Sequence, residues 1–349
     1  MTALPPADDF AAFVTDWSAL DALAAGEHPA RRFMRAAWFA SGTDAAETVV
    51  PIRSGDGELL AAMPLSKKAF GPVGISQIAG PYWPFRGFPV RATADANELR
   101  KAFSSKSLGR ELGPVWRLGP AVDDDPSLEA TVRAATAAGW TVLSRPVGSL
   151  FVLDLKALRS GGNWPSSKGK QKDRWRVRQL GKTGPVTIRA FDGRNWTEED
   201  REAIARIESN SWVGQLEEGG DTKFADPALR KTWTQMSRDP VLAGMIRGHI
   251  LHVGDTPAAF TFCLETGDTR YCIANNFDQR FKNFSPGRVL LYYDFEDAAD
   301  RGIARIDWGL GDGGYKSQMG ATQGSSVSDL LFVRSRLLAP ILKRIWQRG

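Results

Sequence analysis

The sequence predicts a mixed α/β fold with two tandem domains. Its 349 residues exceed the length at which one hydrophobic core usually stops growing, and 42% apolar with 24% charged residues is an ordinary globular composition. The predicted order of helices and strands also starts again in the second half of the chain. We therefore expect an N-terminal domain at residues 1–158, a basic linker helix at 159–185 and a C-terminal domain at 186–349.

Two helices and a hairpin are predicted at the start of the first domain. Val49–Ile52 and Leu59–Leu65 flank a Ser-Gly-Asp-Gly turn, which is typical of a β-hairpin. The two helices are indicated by apolar residues at i, i+3 and i+4 spacing within residues 8–40, namely Phe10, Phe13, Trp17, Leu20, Leu23, Phe33, Met34, Ala37 and Trp38.

The rest of the first domain combines a loop with short elements. Prolines and glycines interrupt the aromatic residues between Phe70 and Val90, so we expect a long irregular loop there. That loop either lines a ligand groove or packs against its own domain. The remaining predicted elements are the strands Val115–Leu118, Trp140–Leu143 and Leu150–Leu155 and the helix Leu128–Ala138.

The linker is strongly basic. Arg159 to Lys182 holds eight basic residues and one acidic residue, Asp173. A helix is predicted from about Ser166 to Leu180, before Gly181 and Gly184 end it. This helix either faces an anionic partner or is simply solvated.

The second domain repeats the helix and strand order of the first. Its predicted elements are strand Val186–Phe191, helices Glu198–Ser211 and Pro227–Arg238, strands Ala243–Val253, Pro257–Thr266 and Thr269–Asn276, helix Gly287–Arg301 and strand Ile306–Trp308.

The last segment, from Ser328 onward, is predicted to be a basic amphipathic helix bent at Pro340. Such a helix either lies on an anionic inner membrane leaflet or docks on its own domain. Its apolar residues are Leu330, Leu331, Leu337, Leu338, Ile341, Leu342 and Ile345, and its basic residues are Arg334, Arg336, Lys343, Arg344 and Arg348.

Composition excludes several classes of protein. The N-terminus lacks a basic region followed by an apolar run, and eighteen consecutive apolar residues occur nowhere, so we expect a cytoplasmic protein that does not span a membrane. Cys263 and Cys272 lie in adjacent predicted strands and are expected to be reduced packing residues. The histidines and cysteines do not have the spacing of a zinc site, so no metal is expected.

The second half, from about Lys168 to Lys316, resembles the CelD-like acyltransferases of the GNAT superfamily. Through Trp17, Phe33 and Trp38 the whole chain also resembles the tandem FemAB-type transferases, in which the second domain holds the acyl donor. The resemblance implies two tandem GNAT-like domains, of which the second is catalytic. The second-half residues that carry it are the basic helix SSKGKQKDRWRVRQL, Glu208, Ser211 and Trp212 in IESNSW, Arg280, Phe281, Ser285, Pro286, Gly287 and Leu290 in RFKNFSPGRVL, and Asp307, Gly309, Gly311, Asp312, Tyr315 and Lys316 in DWGLGDGGYK.

A donor site is expected where the strand before Asn283 gives way to the helix at Gly287. Helix N-termini carry unpaired amides and positive dipole charge, which favour a pyrophosphate, and the resemblance implies the pyrophosphate of CoA. The alternative is an ordinary helix start with solvated basic flanks. A single glycine stands here, whereas the usual superfamily loop has two small residues. The predicted donor-binding residues are Arg280, Lys282, Phe284, Ser285, Gly287 and Arg288.

N-acylation requires a base, because freeing an alkyl amine of its proton at pH 7 costs about 4 kcal/mol. Asp307, at the end of the strand that borders the expected splay, is the first candidate, and a cap for the following glycine-rich turn is its alternative role. Glu208 is predicted to share a helix face with Trp212, and its alternative role is a salt bridge. His249 and His252 point to opposite faces of one predicted strand, so at most one of them reaches substrate.

The remaining candidates belong to the same half of the chain. Tyr315 either donates a proton to the leaving thiolate or packs in the core. Substrate contacts are predicted for Trp212, Asn275, Asp312 and Lys316.

The expected function is an acyl-CoA-dependent N-acyltransferase whose acceptor is a lipid amine such as a sphingoid base, similar to the bacterial ceramide synthases, which have the same general GNAT character. Alternatives are acetyl transfer to an amino sugar in exopolysaccharide synthesis, to which some relatives are linked, FemAB-like aminoacyl transfer, and a non-catalytic GNAT-fold binding module. Acyl-CoA as cosubstrate, the amine and an anionic membrane are the expected partners. No specific nucleic acid is expected, because Trp175 is the one aromatic residue between Lys168 and Lys182.

Overall fold

The computed structural model describes residues 15–70, 73–81, 85–162, 164–216 and 220–347. Over these residues the chain divides into two compact units. The first comprises Met1–Ala40, Asp44–Gly148 and Ser325–Gly349, and the second comprises Ser41–Thr43 and Ser149–Gly324. Each unit is discontinuous in sequence. The domain boundaries at residues 158 and 185 stay a prediction.

Helices occur in both units. No helix of the described ranges combines the length and the apolarity that crossing a bilayer requires. The helices are α1 Trp17–Gly26, α2 Ala36–Phe39, α3 Ala96–Ser104, α4 Lys106–Leu112, α5 Pro126–Ala137, α6 Leu155–Ser160, α7 Ser167–Leu180, α8 Glu198–Ser209, α9 Pro227–Met236, α10 Pro240–Met245, α11 Pro286–Asp300 and α12 Ala339–Trp346, with short 3₁₀ turns at Pro29–Arg31, Gln279–Phe284 and Ser317–Met319.

The strands are β1 Thr48–Arg53, β2 Leu59–Phe70, β3 Val73–Ile78, β4 Val115–Val122, β5 Thr141–Asp154, β6 Val186–Asp192, β7 Ile246–Val253, β8 Thr256–Thr266, β9 Thr269–Phe277, β10 Arg305–Leu310 and β11 Thr322–Val333.

In the first unit the strand order is β1-β2-β3-β4-β11. The β3/β4 pair is parallel and the other neighbours are antiparallel. The buried rings of Trp116 and Phe332 stack with centroids 3.9 Å apart across β4 and β11. Phe103 of α3 and Ala135 of α5 join the same cluster. This unit therefore has a hydrophobic core of its own.

In the second unit the strand order is β5-β10-β9-β8-β7-β6, and the β9/β10 pair is parallel among antiparallel neighbours. Successive residues of β8 show what covers the two faces. The hydroxyl of Thr261 donates to Asp294 of α11 at 3.0 Å. The ring of the next residue, Phe262, has its centroid 4.9 Å from that of Phe224 and 5.0 Å from that of Trp233. Because side chains alternate along a strand, α11 and the aromatic cluster cover opposite faces.

The predicted mixed α/β fold class is confirmed, as are most elements of the second half. The hairpin is the antiparallel pair β1/β2, and the basic linker helix is α7. The predicted elements from Val186 to Trp308 occur in the expected order. Within that stretch the boundary at Ala243 is wrong, because residues 243–245 end the helix α10 before β7 begins. Asp239 caps this helix and Pro240 opens it, a start signal that the strand prediction overlooked.

Two expectations in the first half are also wrong. The loop predicted between Phe70 and Val90 contains the strand β3, which pairs with both β2 and β4 and buries Ile75 and Ile78. Tyr82 and Trp83 of that loop lie outside the described residues, as do Phe10 and Phe13. The two strands predicted around residue 146 form one strand, β5, which continues through Pro146 and Gly148.

The C-terminal segment is a strand followed by a short helix. Leu330 and Leu331, which were predicted to lie on an amphipathic helix, belong to β11 and are buried. A fully buried strand carries consecutive apolar residues, and a short run of them also fits helical spacing. The helix α12 begins only at Ala339.

Candidate active site

Strands β9 and β10 part from each other after three residue pairs. The last pair joins Asp307 to Tyr271, after Ile306 to Arg270 and Arg305 to Thr269. Beyond it β9 continues to Phe277 and β10 to Leu310, and these ends are not paired with each other in the described chain. A cleft therefore opens in the sheet at Asp307.

Backbone geometry at Gly309 interrupts the pairing of β10 with β5. Gly309 has a φ of 78°, which a side chain would disfavour. Asp307 pairs with Val152 of β5, and the next residue to pair with that strand is Leu310. Trp308 and Gly309 therefore lack a strand partner on either side among the described residues.

Asp307 is buried at the mouth of this cleft. One carboxylate oxygen accepts the Gly309 amide at 3.0 Å, so the predicted turn-capping contact is present. Burial raises the pKa of Asp307 to about 6, against the weaker opposing effects of that hydrogen bond and of the charges on Arg305 and Lys316. A carboxyl group with this pKa is ionised at neutral pH and still basic enough to accept a proton.

A β-bulge lies on the other side of the cleft. In the β8/β9 pairing Phe262 is opposite Ala274, whereas Cys263 is opposite Cys272, so Ile273 is an extra residue on β9. A bulge leaves its extra residue outside the regular ladder. Backbone amides around Ile273 therefore lie just beyond the last β9/β10 pair. The sequence around Ile273 contains no glycine or proline that signals this bulge, so it was not predictable from local residue types.

Tyr315 spans the cleft opened by the two strands. Its hydroxyl is hydrogen-bonded to the side chain of Asn275 on β9. Its ring packs against Trp308 of β10 in a T-shaped contact with centroids 5.5 Å apart. Burial raises the pKa of the Tyr315 hydroxyl, so this group stays protonated at neutral pH.

Lys316 is buried beside Tyr315. Its ammonium donates to the carbonyl oxygens of Trp308, Gly309 and Leu310 at 2.7, 3.2 and 3.0 Å. Burial lowers the pKa of Lys316. An ammonium has three N–H donors, and all three are directed at the backbone of β10.

Asp312 belongs to the turn that precedes Tyr315. Its carboxylate accepts the amide and the hydroxyl of Ser317 at 2.8 and 2.6 Å. These bonds lower the pKa of the exposed carboxyl group. In this structure Asp312 therefore fixes the conformation of the turn.

The start of α11 has no side-chain cap. Ser285 has a φ of 50° and makes no side-chain capping bond, and Pro286 occupies the first turn. Pro286 has no N–H, and the amides of Arg288 and Val289 donate to the Ser285 carbonyl, so the amide of Gly287 and the positive dipole charge are what this helix start presents to an anion. A Cβ on Gly287 would lie 3.1 Å from the ring of Phe277, so glycine here also permits close packing on β9. Phe284 packs in the same cluster as Phe277.

Three basic side chains surround this helix start. Arg280 forms an ion pair with the buried Asp278, which raises the pKa of Arg280. Lys282 is exposed in the 3₁₀ turn. Arg288 lies 3.5 Å from the side chain of Gln318, which connects the start of α11 with the turn after Lys316. Helix α7 also contacts this 3₁₀ turn and α11.

The predicted catalytic histidines lie away from the cleft. His249 is buried, with Nδ1 2.6 Å from Asp294 and Nε2 3.3 Å from Asp297, so both ring nitrogens face carboxylates. His252 is half-buried three residues later, and burial lowers its pKa. His252 lies on β7, two strands from β9, and it pairs with Thr187 on β6.

Glu208 and Trp212 do not share a helix face, because α8 ends at Ser209. Glu208 is fully buried, whereas Trp212 is 59% exposed. One Glu208 oxygen accepts the amides of Lys223, Phe224 and Ala225 at 2.9, 2.6 and 2.7 Å. Burial raises the pKa of Glu208 despite these bonds. The contacts of this carboxylate thus hold the segment that leads into α9.

Metal ligands are not grouped in the structure. Within the described ranges, no three His, Cys, Asp or Glu side chains are placed as a metal ion would require. Cys263 and Cys272 lie opposite each other on β8 and β9 as buried thiols that form no disulfide.

Comparison with known proteins identifies the part of the chain that contains this cleft. Residues 167–317 match the family described as acetyltransferase (GNAT) domain. No curated protein matches the sequence.

Similar solved structures cover nearly the whole chain. They include FemX, with a TM-score of 0.60, 10% identity and coverage of 95% of this chain and 99% of that one. L-PGS from Bacillus licheniformis has a TM-score of 0.56, 10% identity and coverage of 97% and 98%. A tandem GNAT protein from the clavulanic acid biosynthesis pathway has a TM-score of 0.51, 14% identity and coverage of 91% and 94%. At these identities the likeness is one of fold.

Proposed function

We propose that this protein transfers an acyl group from acyl-CoA to an amine, and that residues 167–317, which match the acetyltransferase (GNAT) domain family, carry out the transfer. The observation that carries the proposal is the buried Asp307, whose pKa is about 6, at the point where β9 and β10 part. A base with a pKa near the working pH can accept the proton that the attacking amine must lose.

The donor is proposed to lie between the start of α11 and the cleft. The uncapped helix start receives the pyrophosphate, with Lys282 and Arg288 as neighbouring charges and Gly287 allowing close approach. Arg280 contributes less charge, because Asp278 already pairs with it. The thioester then enters the opening between β9 and β10. On the α11 face this opening adjoins buried apolar residues, including Phe295, Trp308 and Met319.

The chemistry needs no covalent enzyme intermediate. The amine nitrogen attacks the thioester carbon while Asp307 takes its proton, directly or through one water. Backbone amides of the bulge at Ile273 are placed to stabilise the oxyanion. The C–S bond then breaks, and Tyr315, protonated at neutral pH, supplies a proton to the departing thiolate. The products are an amide and CoA.

The acceptor is proposed to be a lipid amine such as a sphingoid base, and the donor a long-chain acyl-CoA. Exposed apolar residues on α12 and just before it support this choice. Leu337, Ile341 and Ile345 are 87%, 58% and 54% exposed, and Leu338 is 44% exposed. No acidic residue follows Asp329 in the sequence, whereas Arg336, Lys343 and Arg344 do.

We also propose that α12 rests on an anionic membrane surface on the cytoplasmic side. Leu342 and Trp346 pack on the core of the first unit, which fixes the opposite face of α12 outward. Each basic residue near such a surface contributes about 1 kcal/mol, and the exposed leucine and isoleucine side chains add apolar burial.

The proposed activity is tested with a matrix of donors and acceptors. Purified protein is incubated with acetyl-, octanoyl- and palmitoyl-CoA against sphinganine, glucosamine and a simple alkyl amine. Free CoA is followed by thiol release and the amide by mass spectrometry. We expect turnover with sphinganine that increases with acyl length.

Other results of this assay would support one of the alternative functions. Turnover of acetyl-CoA with glucosamine alone would replace the lipid acceptor with an amino sugar. A rise in melting temperature with CoA, without turnover of any pair, would indicate a binding module. If CoA neither binds nor is released, the acyl-CoA proposal is wrong.

A further inference from the structure

The last residue of the DWGLGDGGYK segment makes contacts that differ from the substrate contact expected for it. Lys316 is 6% exposed, and its ammonium lies within hydrogen-bonding distance of three consecutive carbonyl oxygens of β10. With these donors engaged, the side chain has none left for a phosphate or a substrate.

Two of the three carbonyl groups that Lys316 binds belong to residues without a strand partner within the described ranges. Trp308 and Gly309 pair with neither β5 nor β9 in the described chain, because the strands part after Asp307. Buried carbonyls without a partner each cost about 1–3 kcal/mol, so this stretch of β10 requires a donor from elsewhere. Re-pairing with β9 would supply one, but it would close the cleft. Water would supply another, but it would wet a site that adjoins Phe295 and Met319.

We infer that Lys316 is a positioning residue. Its ammonium supplies the hydrogen-bond donors that β9 would otherwise give to the β10 carbonyls. The opening between β9 and β10, where the acyl chain is proposed to bind, therefore stays free of water and of strand pairing. This inference rests on the proposed acyl-CoA function of the cleft. The backbone of Lys316 is itself fixed by hydrogen bonds. Its amide donates to the carbonyl of Asp312, and its carbonyl accepts the amides of Met319 and Ala321. Asp307 acts alongside it by holding the Gly309 amide.

The phosphates and the acyl chain of the donor are then held by different groups of the protein. Phosphates of CoA bind at the start of α11, whereas the acyl chain depends on the opening that Lys316 maintains. Lys316→Met should therefore weaken binding of octanoyl-CoA by at least about tenfold, as expected for losing a charged hydrogen-bond donor. Binding of CoA without an acyl group should change by less than about twofold.

The test compares dissociation constants by calorimetry for octanoyl-CoA and CoA in wild type, Lys316→Met and Lys316→Gln. The glutamine variant keeps part of the donor capacity and should be intermediate. Lys282→Met, an exposed lysine at the helix start, is the contrasting variant and should weaken both ligands equally. If Lys316→Met weakens the affinity for octanoyl-CoA and for CoA equally, or weakens neither, the positioning role is overturned.

Amide hydrogen exchange tests, without any ligand, whether Lys316 holds the backbone of β10 in place. Amides of residues 308–311 should exchange faster in both Lys316 variants than in wild type, while those of β8 should not. Unchanged exchange at 308–311 overturns the inference even if acyl-CoA turnover is normal. Wild-type protein that binds neither CoA nor octanoyl-CoA would refute the proposed function and with it the acyl role of Lys316.

Discussion

Asp307 is costly to the fold in the ionised form that the proposed reaction needs. Burial raises its pKa to about 6 from the ordinary value of 3.8. A raised carboxyl pKa favours folding below about pH 4, and that contribution is lost as the pH rises through about 6. At neutral pH the ionised Asp307 therefore destabilises the folded state by about 3 kcal/mol. Such a cost is typical of a group kept for function.

Asp307→Asn should therefore stabilise the protein while removing activity. Asparagine keeps an oxygen for the Gly309 amide but never ionises, so we expect a gain of about 2 kcal/mol in unfolding free energy at pH 7.5 and little change at pH 4. Turnover should fall at least about a hundredfold, as for loss of a general base. In wild type, kcat/KM should rise with pH through about 6.

Urea unfolding at both pH values and a pH–rate profile measure these effects. Asp300→Asn, which removes a carboxylate that is 69% exposed, is the matched control and should alter neither stability nor turnover appreciably. A variant that keeps wild-type turnover would remove Asp307 from the mechanism. One that is less stable at pH 7.5 would contradict the raised pKa.

Helix α11 is tied to the sheet by a buried charge network as well as by apolar packing. Asp294 is fully buried, and its carboxylate lies 2.5 Å from Arg270 and 2.6 Å from His249. Burial opposes its ionisation, but the Arg270 charge and the His249 contact outweigh burial and lower the pKa of Asp294 to about 2. A lowered carboxyl pKa stabilises the fold above about pH 4, and this stabilisation disappears as the pH falls through about 2.

Removing the Asp294 carboxylate should loosen α11 considerably. Asp294→Ala leaves the buried Arg270 with Glu265 as its remaining carboxylate partner, and it removes the group that contacts His249 and accepts from Thr261, so we expect a loss of about 3 kcal/mol in unfolding free energy at pH 7. Glu296→Ala, on the exposed side of the same helix, should cost less than about 0.5 kcal/mol. Thermal and urea unfolding measure both variants. Equal effects of the two substitutions would show that the network does not stabilise the helix.

Helix α12 is where the membrane proposal can be tested. Ile341→Ser combined with Ile345→Ser removes two exposed apolar side chains, and it should lower the partition onto vesicles of phosphatidylglycerol and phosphatidylcholine about tenfold or more. Raising the salt concentration should also weaken binding of wild type, since the basic residues act at the surface. Vesicle sedimentation measures both effects.

The control for this experiment is another exposed apolar residue of the first unit. Val147→Ser, at 42% exposure on β5, should leave vesicle binding unchanged. Wild-type protein that stays in the supernatant with anionic vesicles at low salt would exclude α12 as a membrane contact.

Elements with one clear periodicity and clear end signals were predictable from sequence. Helix α7 has Ser166 as its cap and Gly181 at its end, and both signals are local. The strand β11 was not predictable in this way, since Leu330 and Leu331 fit helical spacing as well as a buried strand. Tertiary pairing with β4 decides between them, and no local signal reports that pairing.

The candidate site was predictable in its residue types but not in its contacts. Glycines in DWGLGDGGYK indicate an unusual backbone, and Gly309 does adopt a positive φ. That Lys316 binds the carbonyls of Trp308 and Leu310 depends on where β10 leaves β9, which is a property of the folded sheet. The bulge at Ile273 likewise arises from register, and side-chain identity does not encode it.

At the scale of the whole molecule, the compact units interrupt each other in sequence. The second unit begins within β5, at Ser149, and ends within β11, at Gly324. Strand β5 supplies the antiparallel partner of β10, with Leu153 opposite Ile306, both buried. A cut that removes β5 therefore removes the antiparallel partner of β10 from the sheet that forms the cleft.

This arrangement predicts which fragment folds. Residues 149–324 retain every strand of the second unit, so the fragment should melt cooperatively, and CoA at a hundred times its dissociation constant should stabilise it by about 2.7 kcal/mol. Residues 186–349, the C-terminal domain expected from sequence, lack Leu153 and Leu155, whose burial is worth about 2 kcal/mol each. That fragment also carries Leu331 and Phe332 without β4 to cover them. It should show no cooperative transition by circular dichroism and no response to CoA. If it instead melts cooperatively and responds to CoA as well as 149–324 does, β5 is dispensable and the linear domain boundary is the better description.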